Sequence, residues 1–205
     1  KRGSTQLNFW KDVEAECAKY GRSIHTIHCD GGGEYINGDT LHYWEHVMKY
    51  TVVVSNPHTP QNNSRAERKI LTIDDQVNAQ LQGQQLHDRY WEQCLYLTVY
   101  LENRSLSVNR PNMPPMQFMS GKEVDVSHID KPFGTVVYCY NKQRTKKESR
   151  KANPGIFLGF PLRQRDGILA HVPGVGHIET TRDYTQDISI TTKAQRSLID
   201  WYGSY

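Results

Sequence analysis

Residues 23–33, SIHTIHCDGGG, and residues 57–69, PHTPQNNSRAERK, decide how this chain is read. The run from Ser23 to Cys29 is mostly uncharged and is bounded by Gly21 and by Gly31, Gly32 and Gly33, the pattern of a short, largely buried strand ending in a tight turn. Asp30 then stands at the carboxyl end of that strand, and open α/β sheets hold ligands in the crevice beyond such ends. Asp before Gly is equally ordinary turn material, so the residue also has a purely structural reading. Glu67 divides in the same way. Ser64-Arg65-Ala66-Glu67 fits the S-x-x-E capping box, in which Ser64 accepts from a helix amide and Glu67 reaches back to the Ser64 amide. A first-turn carboxylate complements the helix dipole as well. Ile70, Ile73, Val77 and Leu81 follow at spacings of three or four, as the apolar stripe of a helix does.

The flanking sequence supplies the elements around these two blocks. Upstream, Leu7, Trp10, Val13 or Glu14, and Cys17 mark one face of a helix that Ser4 or Thr5 can cap and Gly21 can end. Between the blocks, Leu41, Trp44 and Met48 predict a second helix, and TVVVS at 51–55 predicts a β-branched strand. Strand, helix, strand with a connection of this length implies a parallel pair. Downstream, a helix spans residues 88–104 with Trp91, Leu95, Val99 and Tyr100 expected inward, and Pro111, Pro114 and Pro115 punctuate a linker. GTVVYCY, GIFLGF, GILAHV and HIETTRDY are short strand-like runs separated by turn signals, which predicts a small barrel.

Taken in order, DGGGEY at 30–35 and HTPQNNSRAERK at 58–69 resemble the D-N-G-G-E-[FY] and [YH]-T-P-Q-x-N-G-x-A-E-R blocks of integrases from copia-type (Ty1/copia) LTR retrotransposons. YWEQCLYLTVYLENRS, PMQFMSGKEVDVSHIDKPFGTVVYCY, ANPGIFLGF and HIETTRDYTQD resemble later segments of the same family, so the likeness runs from residue 5 to about residue 188. It implies an α/β fold: an incomplete RNase H-like core of the retroviral integrase superfamily in residues 1–110, its first strands absent. A linker at 111–132, a small all-β SH3-like barrel at 133–190 and a tail at 191–205 would follow. Three departures stand out. Gly31 replaces the usual Asn and Ser64 the usual Gly. The 36 residues between Asp30 and Glu67 are one more than the family's usual interval, and extra length in the loop at 36–40 could absorb that residue.

By resemblance, the protein is part of a Pol polyprotein involved in DNA integration through divalent-metal-dependent phosphoryl transfer. Such chemistry uses two ions about 4 Å apart, one at the attacking and one at the leaving oxygen. In the family's DDE set, Asp30 and Glu67 correspond to two of the three catalytic, metal-binding carboxylates, with Mg²⁺ or Mn²⁺ as cofactor. The first Asp is not carried over. Only Asp12 precedes Asp30, and it falls inside the predicted N-terminal helix. With two carboxylates the ions should be poorly held, so this chain alone is expected to be inactive. The alternative is a nonenzymatic DNA-binding or assembly-only remnant of a retrotransposon. The resemblance implies DNA (element cDNA ends and target DNA) and further integrase copies as partners, and a nuclear location with a cytoplasmic particle stage.

Charge is more telling when divided than when summed. The net charge is +3, yet Lys142, Arg144, Lys146, Lys147, Arg150 and Lys151 stand against Glu148 alone within ten residues. This cluster is expected in a hairpin loop, either solvated or against a DNA backbone. Asn63, Arg65, Arg68 and Lys69 beside Glu67 form a second candidate phosphate-facing group. No apolar run approaches the roughly 20 residues of a membrane span, and no apolar signal-peptide core opens the sequence. Cys17, Cys29, Cys94 and Cys139 are scattered, which suits reduced core residues of an intracellular protein. His25, His28 and Cys29 are crowded and His42 and His46 are four apart, but neither group has a C-x-x-C partner, so no zinc is expected.

Overall fold

The computed structural model describes residues 2–30, 32, 38–55, 64–108, 111–141, 147, 151–161, 167–173 and 178–186, with the side chains of 2–6 excepted. Two compact units emerge: residues 1–72 with 104–124, and residues 73–103 with 125–205. The fold is mixed α/β and includes a five-stranded antiparallel sheet. Among the described residues, no helix is long and apolar enough to cross a membrane.

The first unit opens with α1 (Arg2–Lys19), which starts ahead of the Ser4 or Thr5 expected to cap it. Leu7, Trp10, Val13, Glu14 and Cys17 are its half-buried positions, the face expected from their spacing. Gly21 ends the helix at φ +64°, where the Gly21 amide donates to Ala18 O and the Arg22 amide to Cys17 O, both at 3.0 Å. These two bonds form a Schellman motif, which a residue without Cβ enters at little cost.

β1 (Thr26–Cys29) and β2 (Thr51–Val54) form the expected parallel pair, in register from Thr26 opposite Thr51 to Cys29 opposite Val54. Their connection contains α2 (Gly38–His42), which passes directly into a π turn over Tyr43–Val47. The Met48 amide donates to Tyr43 O at 2.9 Å, five residues back. Part of the loop expected at 36–40 is therefore helical. The wider π turn is a second place where one additional residue can be taken up. Trp44 is fully buried, packed edge-to-face on Trp10 at 5.1 Å, and joins Ile27, Cys29 and Tyr50 in a small core.

α3 (Ser64–Gly83) begins where its S-x-x-E signal places it. Its stripe is only partly used: Val77 and Leu81 are buried, whereas Ile70 is 59% exposed. A short 3₁₀ turn (Asp88–Tyr90) leads into α4 (Trp91–Glu102). The inward face of α4 differs from the expected one. Cys94, Leu97 and Thr98 are buried, while Trp91 and Val99 are exposed and Leu95 and Tyr100 half-buried. Apolar residues surround this helix, so packing rather than periodicity chose the face. Thr98 can lie inside because its hydroxyl donates to Cys94 O and accepts from Gln80 Nε2, each at 2.8 Å. A further helix, α5 (Pro115–Ser120), sits within the Pro-rich stretch.

The sheet strands are β3 (Val136–Tyr140), β4 (Ala152–Gly159), β5 (Ile168–His171), β6 (Ile178–Thr181) and β7 (Tyr184–Thr185). They are ordered β6-β5-β4-β3-β7, all antiparallel. β4 starts three residues before the expected GIFLGF run and is buried continuously from Pro154 to Gly159. A bulge between Phe157 and Gly159 and the packing of α4 against this strand allow Phe157 and Leu158 to be buried in succession. Lys131 is buried too: it pairs with Asp130, and its Nζ lies 5.8 Å from the centre of the Phe157 ring and 5.1 Å from that of Tyr184. All four cysteines are free thiols, with Cys29, Cys94 and Cys139 buried. Burial pushes the Cys94 and Cys139 thiols up to about 11.

The Tyr90 hydroxyl ties the start of α4 to β5. Arg89 Nη2 donates to it at 2.8 Å, and it lies within hydrogen-bond distance of His171 Nδ1, at 2.6 Å. Burial and then the Arg89 charge lower the His171 pKa from 6.5. The unfolded chain therefore binds the proton more tightly. Stability should be full above neutrality, decline as pH falls through 6.5, and level off below the folded-state value. In urea denaturation between pH 7.5 and 5, His171→Gln should remove that component of the slope.

Candidate functional site

The parallel pair fixes the position of Asp30. The Ser55 amide donates to Cys29 O at 2.8 Å, extending the pairing one step beyond the β1–β2 register and anchoring the backbone immediately before Asp30. The side chain is exposed, and its Oδ1 accepts from the Gly32 amide at 3.3 Å. The turn-forming reading of Asp30 is thus realised. Burial, with a further contribution from the Asp30 charge, raises the pKa of the neighbouring Cys29 thiol.

Glu67 lies in the first turn of α3 and is exposed. The expected reciprocal capping box is not closed by its side chain, which among the described residues makes no hydrogen bond or ion pair. Arg68 engages Ser64 instead, through Nε to Ser64 O at 3.2 Å and Nη2 to Ser64 Oγ at 3.4 Å. The arginine bonds the carbonyl and hydroxyl one turn back, which leaves the Glu67 carboxylate outside the capping arrangement. Arg65, Arg68 and Lys69 are all exposed beside it, and Asn63 lies outside the described residues.

Asp30, Glu67, Arg65, Arg68 and Lys69 belong to one compact unit, whereas the basic 142–151 cluster belongs to the other. That cluster joins antiparallel neighbours β3 and β4. Tyr140 faces Ala152, and the Asn141 amide donates to Lys151 O at 2.9 Å. The segment is thus the expected hairpin connection. Lys147 and Lys151 are exposed, and Lys142, Arg144, Lys146 and Arg150 lie outside the described residues.

Among the described residues, no group of three or more His, Cys, Asp or Glu side chains is arranged to hold a metal ion. Asp30 and Glu67 are exposed carboxylates on separate elements. The structure also brings together the His42 and His46 rings, at 4.9 Å between centroids. Their four-residue spacing was the sequence signal for that pair. Lys131 had no such signal, because the rings that flank it come from distant strands.

No protein-family model matches the chain. It is similar to the retrovirus-related Pol polyprotein from transposon TNT 1-94 of Nicotiana tabacum, 34% identical over 143 residues, covering 68% of this chain and 10% of that protein. The Pol polyproteins from transposons RE2 and RE1 of Arabidopsis thaliana are each 27% identical. RE2 aligns over 163 residues (78% of this chain, 11% of RE2) and RE1 over 155 (73% of this chain, 10% of RE1). The chain thus spans about a tenth of the length of these curated relatives. Among solved structures it is similar to a chain of the simian T-cell lymphotropic virus intasome in complex with PP2A regulatory subunit B56 gamma. That match has a TM-score of 0.43 and 11% identity, covering 92% of this chain and 66% of that one.

The turn bond at Asp30 separates its structural contribution from any chemical one. Asp30→Asn keeps an oxygen acceptor for the Gly32 amide and should leave thermal stability unchanged. Asp30→Ala loses that exposed bond and should cost less than about 1 kcal/mol by thermal or urea unfolding.

Proposed function

This chain belongs to the Pol polyproteins of copia-type retrotransposons, in their integrase-like region, and on that premise we propose that residues 1–110 are the later part of an RNase H-like integrase core. The strands of residues 133–190 would be an SH3-like domain, with 111–132 as linker and 191–205 as tail. The intact protein would insert element cDNA into host DNA by metal-dependent phosphoryl transfer, in the nucleus after a cytoplasmic particle stage, together with further integrase copies. The observation that carries this reading is the ordered pair of blocks. DGGGEY leaves the carboxyl end of β1, and HTPQNNSRAERK enters the first turn of α3, so each acidic residue lies at the end of a regular element.

In that protein, Asp30 and Glu67 would supply two of three carboxylates for Mg²⁺ or Mn²⁺. Asp12, within α1, would not serve as the third. The residues of this chain would act on DNA mainly by holding it. Arg65, Arg68 and Lys69 flank Glu67, and the β3–β4 hairpin presents a concentrated positive charge to phosphates.

Two measurements test this reading. Incubated with Mn²⁺ and a labelled terminal-repeat duplex, the chain should give no strand transfer; product would overturn the claim that two carboxylates are insufficient. Binding to the same duplex should weaken steeply with salt, by a slope of about 0.9 per phosphate contacted. Reversing the basic charges of residues 142–151 should flatten that slope, and an unchanged slope would remove the hairpin from the interface.

A further inference from the structure

We infer that His42 and His46 form a bidentate site for a divalent transition-metal ion of the Cu²⁺, Ni²⁺ or Zn²⁺ class, separate from the carboxylates Asp30 and Glu67. The spacing alone favoured two unrelated exposed side chains; the geometry of the turn favours a pair. His42 is the last residue of α2, and His46 lies in the π turn that continues it. A π turn carries more residues per revolution than the 3.6 of an α-helix. A four-residue step running from one geometry into the other therefore comes close to a full revolution, which sets one ring above the other. The centroids are 4.9 Å apart with the ring planes tilted by 40°.

That separation suits chelation. With metal–nitrogen bonds of about 2.0–2.1 Å and a ligand angle between square-planar and tetrahedral values, two imidazoles sharing one ion have ring centres about 4.5–5.2 Å apart. Both side chains are exposed, so turning either ring toward a shared ion disturbs no core contact. Among the described residues neither imidazole has a hydrogen-bond or ion-pair partner to surrender. Trp44 between them is fully buried and holds this turn against the core, so the two backbone positions are fixed before any ion arrives. Imidazole nitrogen selects the borderline ions over Mg²⁺, which prefers oxygen. Two protein ligands leave the remaining positions to water, and affinity should follow the order Cu²⁺ above Ni²⁺ and Zn²⁺.

The test is a titration of the 205-residue chain with CuCl₂, NiCl₂ and MgCl₂, followed by calorimetry and, for Cu²⁺, by electron paramagnetic resonance. Wild type should bind Cu²⁺ and Ni²⁺ and not Mg²⁺ at this site. His42→Gln and His46→Gln should each weaken binding about tenfold or more, because losing one arm removes the local concentration of the second ligand. The double variant should lose the site. Nitrogen coupling from two imidazoles in wild type should fall to one in each single variant. The idea is overturned if both single variants bind as wild type, or if His25→Gln/His28→Gln abolishes binding while the 42/46 variants retain it. Unchanged circular dichroism of the metal-free variants separates loss of ligands from loss of fold.

Discussion

The parallel pairing of β1 with β2 is the constraint on which the candidate site depends. A parallel pair cannot be closed by a tight hairpin, so the chain must cross over between the strands, and it does so through α2 and the π turn. Both strands then end on the same side. Asp30 leaves one and Ser55 the other, and the chain runs on from Ser55 toward α3. The Ser55 amide bonded to Cys29 O is the last rung of this arrangement. It joins the ends of the two strands, Cys29 just before Asp30 and Ser55 after β2, although they are 26 positions apart in sequence.

The crossover also explains why so small a sheet is orderly. Two strands of four residues bury little surface by themselves. Trp44, delivered by the connection, fills the space over Ile27 and Cys29 and packs on Trp10 of α1. The π turn positions Trp44 inward and leaves His42 and His46 outward, so one local departure from α geometry serves the core on one side and presents two imidazoles on the other.

The five-stranded unit is held by different means. Its central strand β4 is buried along most of its length, with α4 packed against it. Fixed polar contacts sit at the margins of this core: Thr98 with Gln80, Tyr90 with His171, and Lys131 with Asp130 beside two aromatic rings. Each places a polar group where burial alone would be costly, and each has a partner that offsets that cost. The basic segment 142–151 connects β3 and β4 of the same sheet.

Much of this was legible in the sequence because it is local. The half-buried face of α1, the Gly21 stop, the start of α3 at Ser64, the parallel pair and the runs that become β3 to β6 follow from spacing, glycine and β-branched residues. So does the family, whose two blocks are contiguous in sequence. The inward face of α4 was not legible: apolar residues ring that helix, and only β4 decides which of them are covered. The exposure of Ile70, the burial of Lys131 between Phe157 and Tyr184, and the use of Arg68 rather than Glu67 at Ser64 likewise depend on which groups the fold brings near. The sequence by itself determined most of the elements and their order, though not the π turn or α5. Tertiary structure alone decided which faces were buried and which side chains met, because a helix or strand carries its periodicity within it but acquires its partners only by packing.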